Sequence, residues 1–145
     1  MNFFPLYMKM DGLKILVVGA GAIAAEKLEK LLCFTGEITV IASEVTEVSS
    51  EIIATHGLVL HQRDYKVGDI QGFDIVIVAT DTTALHQVIF EESRGSRILV
   101  NSVDNAEYCD FIFPSFVQKG DLTVAFSTGG ASPAFAKTAS RVFSK

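Results

Sequence analysis

Short apolar runs alternate along the chain with stretches whose apolar residues recur at helical spacing. The runs predict five strands, at residues 14–18, 38–42, 58–63, 74–79 and 97–101. Strands that alternate with helices through short loops form a parallel sheet with right-handed crossovers. We therefore predict an α/β fold, a Rossmann-like parallel sheet with helices on both faces.

The apolar faces of the predicted helices define the candidate core. The first helix turns Ala24 and Leu28 inward, and Cys33 is expected to be buried at its end. Ser43 is the expected N-cap of the second helix. His86 is expected on the outer surface of the third. The residues expected to face inward in the second and third helices are Val45, Val48, Ile52, Ile53, Leu85, Val88 and Ile89.

A glycine-rich turn joins the first strand to the first helix. Its form, G-x-G-x-x-A ending at Ala24, is the alanine-ended version of a dinucleotide-binding fingerprint. Gly19 permits the tight turn, Gly21 lets the backbone approach a pyrophosphate, and Ala22 and Ile23 begin the helix. The helix N-terminus offers N–H groups and partial positive charge to the phosphates. The alternative, a purely structural turn at a crowded corner, stays open.

The carboxyl ends of parallel strands meet in one crevice, where such sheets bind their ligands. In this chain those ends carry Ser43, Thr80, Asp81 and Asn101, which we expect beside a bound cofactor. Asp81 has an alternative role as the cap of the following helix, and both interpretations stay open.

The choice between the two nicotinamide cofactors depends on the end of the second strand. Ser43 and Glu44 stand near the usual place of the acidic residue that binds the adenine ribose. No Lys or Arg occurs between residues 37 and 50 to neutralise a 2′-phosphate. The sequence therefore favours NAD over NADP.

The pattern changes after residue 101. Apolar runs at residues 115–120 and 121–127 are joined by a glycine-containing turn with no helix, which predicts an antiparallel pair outside the parallel core. Because two strands are marginal alone, we expect a homodimer in which the same strands of a second subunit cover their edges. The predicted domains are residues 1–113, which bind the nucleotide, and 114–145, with these strands and a C-terminal helix.

A second glycine pair, Gly129-Gly130, exposes backbone N–H groups just before the last predicted helix and forms a candidate anion nest. Ser132 suits the N-cap of that helix and Pro133 its first position. The alternative is a flexible hinge before a surface helix. The candidate ligand-binding residues of this segment are Thr128, Gly129, Gly130, Ser132, Lys137 and Arg141.

Net charge and the length of the apolar runs argue against two classes of partner, nucleic acids and membranes. The 145 residues carry a net charge of −5, which argues against nucleic acid and anionic membranes. No apolar run approaches the ~18 residues of a membrane helix.

Cys33 and Cys109 form no C-x-x-C pair, so reduced thiols in a cytoplasm are expected. His56, His61 and His86 lack ligand spacing, and no metal site is predicted.

Five motifs stand in order along the chain, at residues 19–21, 79–81, 100–104, 109–114 and 127–133. Together they resemble precorrin-2 dehydrogenase, the NAD-binding module of siroheme synthase. The resemblance spans nearly the whole chain, and the three later motifs are more specific than the glycine turn.

The resemblance implies that the protein oxidises precorrin-2 to sirohydrochlorin while reducing NAD+, as an intertwined dimer. Some members of the family also insert iron as sirohydrochlorin ferrochelatases. The functional aspartate of the family matches Asp104, and a carboxylate beside the macrocycle is a suitable base. The alternative for Asp104 is a turn residue. The nest from Thr128 to Ser132, with Lys137 and Arg141, would hold the carboxylates of the tetrapyrrole.

Members of that family usually continue with a helical segment that helps to cover the tetrapyrrole, whereas this chain stops at Lys145. Two alternatives from other classes stay open. One is a non-catalytic, NAD-sensing regulatory domain, which would need neither Asp104 nor the nest. The other is an inert dimerisation scaffold.

Overall fold

The computed structural model describes residues 2–129 and 132–145. In that part of the chain the elements are β1 (Ile15–Val18), α1 (Ala22–Leu31), β2 (Ile38–Ile41), α2 (Glu47–Thr55), β3 (Val59–His61), β4 (Ile75–Val78), α3 (Thr83–Ser93), β5 (Leu99–Ser102), a 3-10 helix (Ala106–Tyr108), β6 (Ser115–Lys119), β7 (Leu122–Phe126) and α4 (Pro133–Ser144).

The first five strands form one parallel sheet in the order β3-β2-β1-β4-β5. Ile15 of β1 lies opposite Ile38 of β2 and Ile75 of β4. Every residue of β1 and β4 is buried, as expected for central strands of a parallel sheet, which is covered on both faces. The predicted α/β, Rossmann-like fold is confirmed.

The core follows from the apolar runs of the strands. Leu16, Val76 and Val100 lie on three neighbouring strands and pack with Ile89 of α3 and with Ile70, and all except Ile70 belong to elements predicted from the pattern. All five side chains are fully buried. This packing holds the carboxyl ends of the central strands in fixed positions, where the candidate site lies.

Helix α2 begins later than predicted. Its N-cap is Thr46, whose hydroxyl accepts a hydrogen bond from the N–H of Ser49 at 3.3 Å. Ser43 lies in the loop before the helix, so its prediction as the cap was wrong. Val45 also precedes the helix, and Val48 is 56% exposed and does not face the core as predicted.

Three further side chains lie differently from the prediction. His86 is buried in α3, and its Nε2 lies 2.8 Å from the carbonyl oxygen of Thr80. Val88, expected inside, is 42% exposed. Cys33 is exposed in the turn after α1, where its thiol donates to the carbonyl oxygen of Glu29.

The chain divides into two compact units. Tyr7–Asp110 carries the parallel sheet, and Met1–Leu6 joins Phe111–Lys145 in the second unit. In the second unit β6 and β7 are antiparallel, with Ser115 opposite Phe126, and α4 packs against both strands. The predicted antiparallel pair and C-terminal helix are therefore confirmed.

The start of α4 follows the predicted capping. The hydroxyl of Ser132 accepts a hydrogen bond from the N–H of Phe135 at 3.3 Å, and Pro133 is the first helical residue. The domain boundary proposed between residues 113 and 114 stays a prediction.

Candidate functional site

The glycine turn after β1 packs between the ends of β2 and β4, the two strands that flank β1. The N–H of Gly19 donates to the carbonyl oxygen of Ile41 at 2.9 Å. Gly19 has a φ of 116°, and a Cβ built on it would lie 2.3 Å from the carbonyl oxygen of Ala79. Only glycine fits there, because any side chain would meet both backbone strain and the end of β4.

Open space lies in front of the start of α1. Gly21 is the N-cap of this helix, and a Cβ built on it would meet no atom within 4 Å. The N–H groups of the first helical turn, which includes Ala22 and Ile23, have no partner within a helix. An unfilled approach to free N–H groups at the positive end of a helix suits a pyrophosphate, so these residues fit a dinucleotide.

Two residues at the start of α2, the N-cap Thr46 and Ser49, donate hydrogen bonds to the backbone of the glycine turn. The N–H and the hydroxyl of Thr46 both donate to the carbonyl oxygen of Ala20, at 3.0 and 3.2 Å. The buried hydroxyl of Ser49 donates to the carbonyl oxygen of Gly21 at 3.1 Å. Sequence reasoning missed both residues, since these partners lie 26 and 28 positions away in the chain.

Ser43 and Glu44 follow β2 at the same edge of the sheet. Both are exposed, and the carbonyl oxygen of Ser43 accepts a long hydrogen bond from the Gln62 amide at 3.5 Å. The structure thus places these two side chains at the carboxyl edge, on the surface.

The segment after β4 lies against the glycine turn. The methyl group of Thr80 would be 3.4 Å from a Cβ on Gly19, and the Thr80 hydroxyl accepts from the N–H of Thr82 at 3.0 Å. Asp81 is exposed, and Thr82, not Asp81, is the N-cap of α3. The capping alternative for Asp81 was therefore wrong.

His86 supports this segment from the buried side. Its Nε2 bonds to the carbonyl oxygen of Thr80, which assigns the ring proton to that nitrogen, the only role in which it can donate to a carbonyl. Within the described chain the Nδ1 atom of His86 has no hydrogen-bond partner. The bond to Thr80 satisfies one polar atom of the buried ring and fixes the position of the Thr80 backbone.

Asn101 lies near the end of β5 and is only 6% exposed. Its side-chain amide lies 3.8 Å from the sulfur of Cys109, within reach of a weak hydrogen bond. The structure thus places Asn101 at the predicted strand end, with a side chain that is almost wholly covered.

Asp104 follows β5 in a strained turn. The N–H of Asn105 donates to the carbonyl oxygen of Ser102 at 3.1 Å and closes the turn. Asp104 is exposed and has a φ of 64°, and it is the one described non-glycine residue with a positive φ. Asp tolerates this left-handed conformation in turns, and residues held in it cluster at functional sites.

The carboxylate of Asp104 interacts electrostatically with Lys27 of helix α1. The pKa of Lys27 lies below its usual value, first because the side chain is partly buried and next because Lys30 repels its charge. The carboxylates of Glu26 and Asp104 act in the opposite direction. Asp104 is therefore near the helix that begins at the glycine turn, and Lys27 is a neighbour that the sequence did not indicate.

The second unit contains the candidate nest. The N–H of Gly129 donates to the Ser127 hydroxyl at 3.1 Å, and the N–H of Ser132 donates to the Thr128 hydroxyl at 2.7 Å. The expectation that Gly129 presents a free N–H was therefore wrong, because its own loop supplies the acceptor. Lys137 and Arg141 are exposed on α4. Gly130 lies outside the described residues.

Two negative findings apply to residues 2–129 and 132–145. No group of three or more His, Cys, Asp or Glu side chains is arranged to hold a metal ion. Every helix is too short or too polar to cross a membrane.

Comparison with known proteins points to one nucleotide-binding family. Residues 6–115 match a family described as putative NAD(P)-binding. A siroheme synthase of Pseudoalteromonas atlantica is 38% identical over 133 residues, which cover 92% of this chain and 29% of that protein. A siroheme synthase of Methylococcus capsulatus is 38% identical over 138 residues, 94% of this chain and 29% of that protein. The chain thus spans about 29% of the length of these relatives.

One solved structure is similar along nearly the whole chain. It is SirC, precorrin-2 dehydrogenase, which matches with a TM-score of 0.84 and 26% sequence identity. The similarity covers 98% of this chain and 69% of that one.

Proposed function

The chain belongs to the family of putative NAD(P)-binding proteins, and on that basis we propose that it is an NAD-dependent dehydrogenase that oxidises precorrin-2 to sirohydrochlorin. The similarity to siroheme synthases and to a precorrin-2 dehydrogenase supports this substrate. The observation that carries the proposal is the place of Asp104, an exposed carboxylate in a strained turn near the helix that begins at the glycine turn.

The glycine turn and the start of α1 hold the cofactor in this proposal. The open approach at Gly21 admits the pyrophosphate, and the N–H groups of Ala22 and Ile23 bind it. Ser43, Thr80, Asp81 and the strand end at Asn101 line the rest of the crevice. All four lie at the carboxyl ends of adjacent strands, where parallel sheets bind their ligands.

NAD is the proposed cofactor, in preference to NADP. The exposed residues after β2, Ser43 and Glu44, carry no positive charge, and no Lys or Arg lies between residues 37 and 50. A 2′-phosphate at the end of β2 would therefore meet no counter-charge from this segment. We expect a lower dissociation constant for NAD than for NADP, measured by titration calorimetry.

Asp104 is the proposed base. Oxidation of precorrin-2 removes two hydrogens from the macrocycle, one as a hydride and one as a proton, and NAD+ held at the glycine turn would supply the hydride acceptor. The carboxylate of Asp104 accepts the proton, which a solvent-accessible group can then release to water. Because the N–H of Asn105 donates to the carbonyl oxygen of Ser102, the backbone from which the Asp104 carboxylate projects is ordered before substrate binds.

The substrate is a polycarboxylate, and the proposal assigns its carboxylates to the second unit. Lys137 and Arg141 lie one helical turn apart on α4 and are exposed. The segment with Thr128, Gly129, Gly130 and Ser132 is proposed to contact the same carboxylates, without the N–H of Gly129, which the Ser127 hydroxyl accepts. Local cations of this kind allow a protein of net charge −5 to bind an anionic ligand.

A homodimer is proposed through the second unit. Its sheet has two strands within the described residues, and a sheet of that size needs further cover. Leu122, Phe135 and Val142 are each more than 60% exposed there. Because both features belong to the same unit, a second copy would bury apolar surface and strand edges together. A monomeric mass by light scattering at micromolar concentration would refute this part of the proposal.

The reducing cytoplasm is the proposed location, since both cysteines are free. Iron insertion is a separate activity, which is tested by adding Fe2+ to the sirohydrochlorin formed once oxidation is complete.

An anaerobic assay with precorrin-2 and NAD+ tests the function. We expect NADH fluorescence and the sirohydrochlorin absorbance to rise together. Replacement of Asp104 by Asn should lower kcat by about 100-fold or more, with the NAD dissociation constant changed by less than about twofold. Glu107→Gln is the matched control, because Glu107 is an exposed carboxylate three residues further along, in the short 3-10 helix after the turn.

The outcomes separate the proposal from its main alternative. Tight NAD binding without turnover in the wild-type chain and in a longer form would favour a non-catalytic, NAD-sensing domain. Equal activity of the Asp104→Asn and Glu107→Gln variants would exclude Asp104 as the base.

A further inference from the structure

The thiol of Cys109 lies beneath the turn that carries Asp104. The N–H of Ser102 donates to the Cys109 sulfur at 3.1 Å. The sulfur also lies 3.1 Å from the carbonyl oxygen of Ser102 and 3.4 Å from that of Asn105. A single half-buried side chain thus contacts both ends of the turn.

These contacts bear directly on the strained residue. The carbonyl oxygen of Ser102 is the same atom that accepts the N–H of Asn105 and closes the turn. Asp104 lies inside that closure with its φ of 64°, a conformation that persists only where its surroundings enforce it. The sulfur accepts the Ser102 N–H, and its one hydrogen has the carbonyl oxygens of Ser102 and Asn105 within reach, so the thiol links the two ends of the turn and opposes its relaxation.

The protonation state of Cys109 suits this role. Burial raises the pKa of the thiol, and the charge of Asp110 raises it further, while the hydrogen bond from Ser102 acts in the opposite direction. The thiol form has one hydrogen to donate to a carbonyl oxygen and a lone pair to accept an N–H. A thiolate would repel both carbonyl oxygens.

We propose that Cys109 is a positioning residue for Asp104, acting through the carbonyl oxygens of Ser102 and Asn105 to hold the turn from which the carboxylate projects. The role as stated rests on the proposed function, in which Asp104 is the base. Cys109 itself touches no reacting atom in this proposal.

Activity measurements on Cys109 variants test the role. We expect Cys109→Ala to lower kcat about tenfold, since a small misplacement of a catalytic group is costly. The NAD dissociation constant should change by less than about twofold. Cys109→Ser should recover part of the loss, because a hydroxyl also donates and accepts. Cys33→Ala is the matched control, since Cys33 is exposed and remote in sequence from the turn.

A double variant separates positioning from general destabilisation. If Cys109 acts only through Asp104, then Cys109→Ala should lower kcat no further in an Asp104→Asn background. A further tenfold loss there, or wild-type kcat in Cys109→Ala alone, would overturn the proposal.

A structural readout keeps the test independent of the reaction. In 1H–15N correlation spectra we expect Cys109→Ala to shift the amide signals of Asp104 and Asn105, and to leave those of Gly21 and Ile23 in place. Unmoved signals at Asp104 and Asn105 would overturn the positioning role. Absence of precorrin-2 oxidation by the wild-type chain would instead count against the proposed function, and the spectra would still decide whether Cys109 holds the turn.

Discussion

The carbonyl oxygen of Ala79 occupies the space that a side chain on Gly19 would need. A Cβ built on Gly19 lies 2.3 Å from that oxygen, closer than real Cβ contacts come. Gly19 and Ala79 follow directly after β1 and β4, which are neighbours in the sheet. The packing of two strand ends therefore requires glycine at the first position of the fingerprint. The φ of 116° is a second reason, because glycine adopts this conformation without strain.

Gly19→Ala should destabilise the fold. The substitution combines a backbone clash with a conformation that costs a non-glycine residue ~1–3 kcal/mol, so we expect a loss of at least about 2 kcal/mol in urea unfolding. Gly36→Ala is the control, because Gly36 has open space and no positive φ. The control should stay within about 0.5 kcal/mol of wild type. Equal stability of the two variants would contradict this account.

Gly21→Ala should weaken NAD binding more than it lowers stability. A Cβ at Gly21 meets no atom of the protein within 4 Å, so the unfolding free energy should fall only by the ~0.5–1 kcal/mol that separates Gly from Ala at an N-cap. The same methyl group would stand in the space assigned to the pyrophosphate, and we expect the NAD dissociation constant to rise about tenfold or more. Calorimetric titration of NAD measures it. Wild-type affinity in Gly21→Ala would show that the pyrophosphate does not approach this turn.

Ser49→Ala should affect both stability and binding. It removes the hydrogen bond to the Gly21 carbonyl oxygen and leaves that acceptor partly buried, which costs ~1–2 kcal/mol. Because the lost contact supports the glycine turn, NAD affinity should fall as well. Ser50→Ala, at the exposed neighbouring position of α2, is the matched control and should alter neither quantity by more than the error of measurement. A loss of stability without any loss of affinity would mean that Ser49 supports the fold alone.

The strands were predictable from local pattern, whereas the contacts that shape the site were not. Runs such as residues 75–78 are apolar and β-branched, and burial on both faces of a parallel sheet requires little more. Ser43 and Thr46 are both good helix caps by residue type. Thr46 is the cap in the structure, and it also binds the carbonyl oxygen of Ala20, 26 residues away. No local pattern contains that contact.

The same distinction holds for His86 and Cys109. Histidine on an amphipathic helix is predicted to face water by its polarity, but the carbonyl oxygen of Thr80 supplies a buried acceptor. Cys109 was noticed as part of a motif, and its contacts with Ser102 depend on the loop after β5 folding back. Both residues serve segments that carry candidate site residues, which is where tertiary contacts most often override local preference.

The connection between β3 and β4 provides a test of pH dependence. The guanidinium of Arg63 donates two hydrogen bonds to the Asp69 carboxylate, at 2.8 and 3.1 Å, and the N–H of Lys66 donates a third at 2.7 Å. The hydrogen bonds from Arg63 lower the pKa of Asp69 more than its burial raises it, and the Lys66 N–H lowers it further. The folded state therefore holds the proton of Asp69 less tightly than the unfolded state.

Asp69→Asn should accordingly lower stability at neutral pH and have little effect in acid. A carboxyl whose pKa is depressed on folding contributes stability above its unfolded pKa of ~3.9, and loses that contribution as the pH falls through the folded value. Urea midpoints of wild type and variant should differ at pH ~7 and approach each other as the pH falls below the unfolded pKa of ~3.9. Asp64→Asn, at an exposed position of the same connection, is the control. A difference between Asp69→Asn and wild type that is constant with pH would show that the carboxylate charge contributes nothing to this connection.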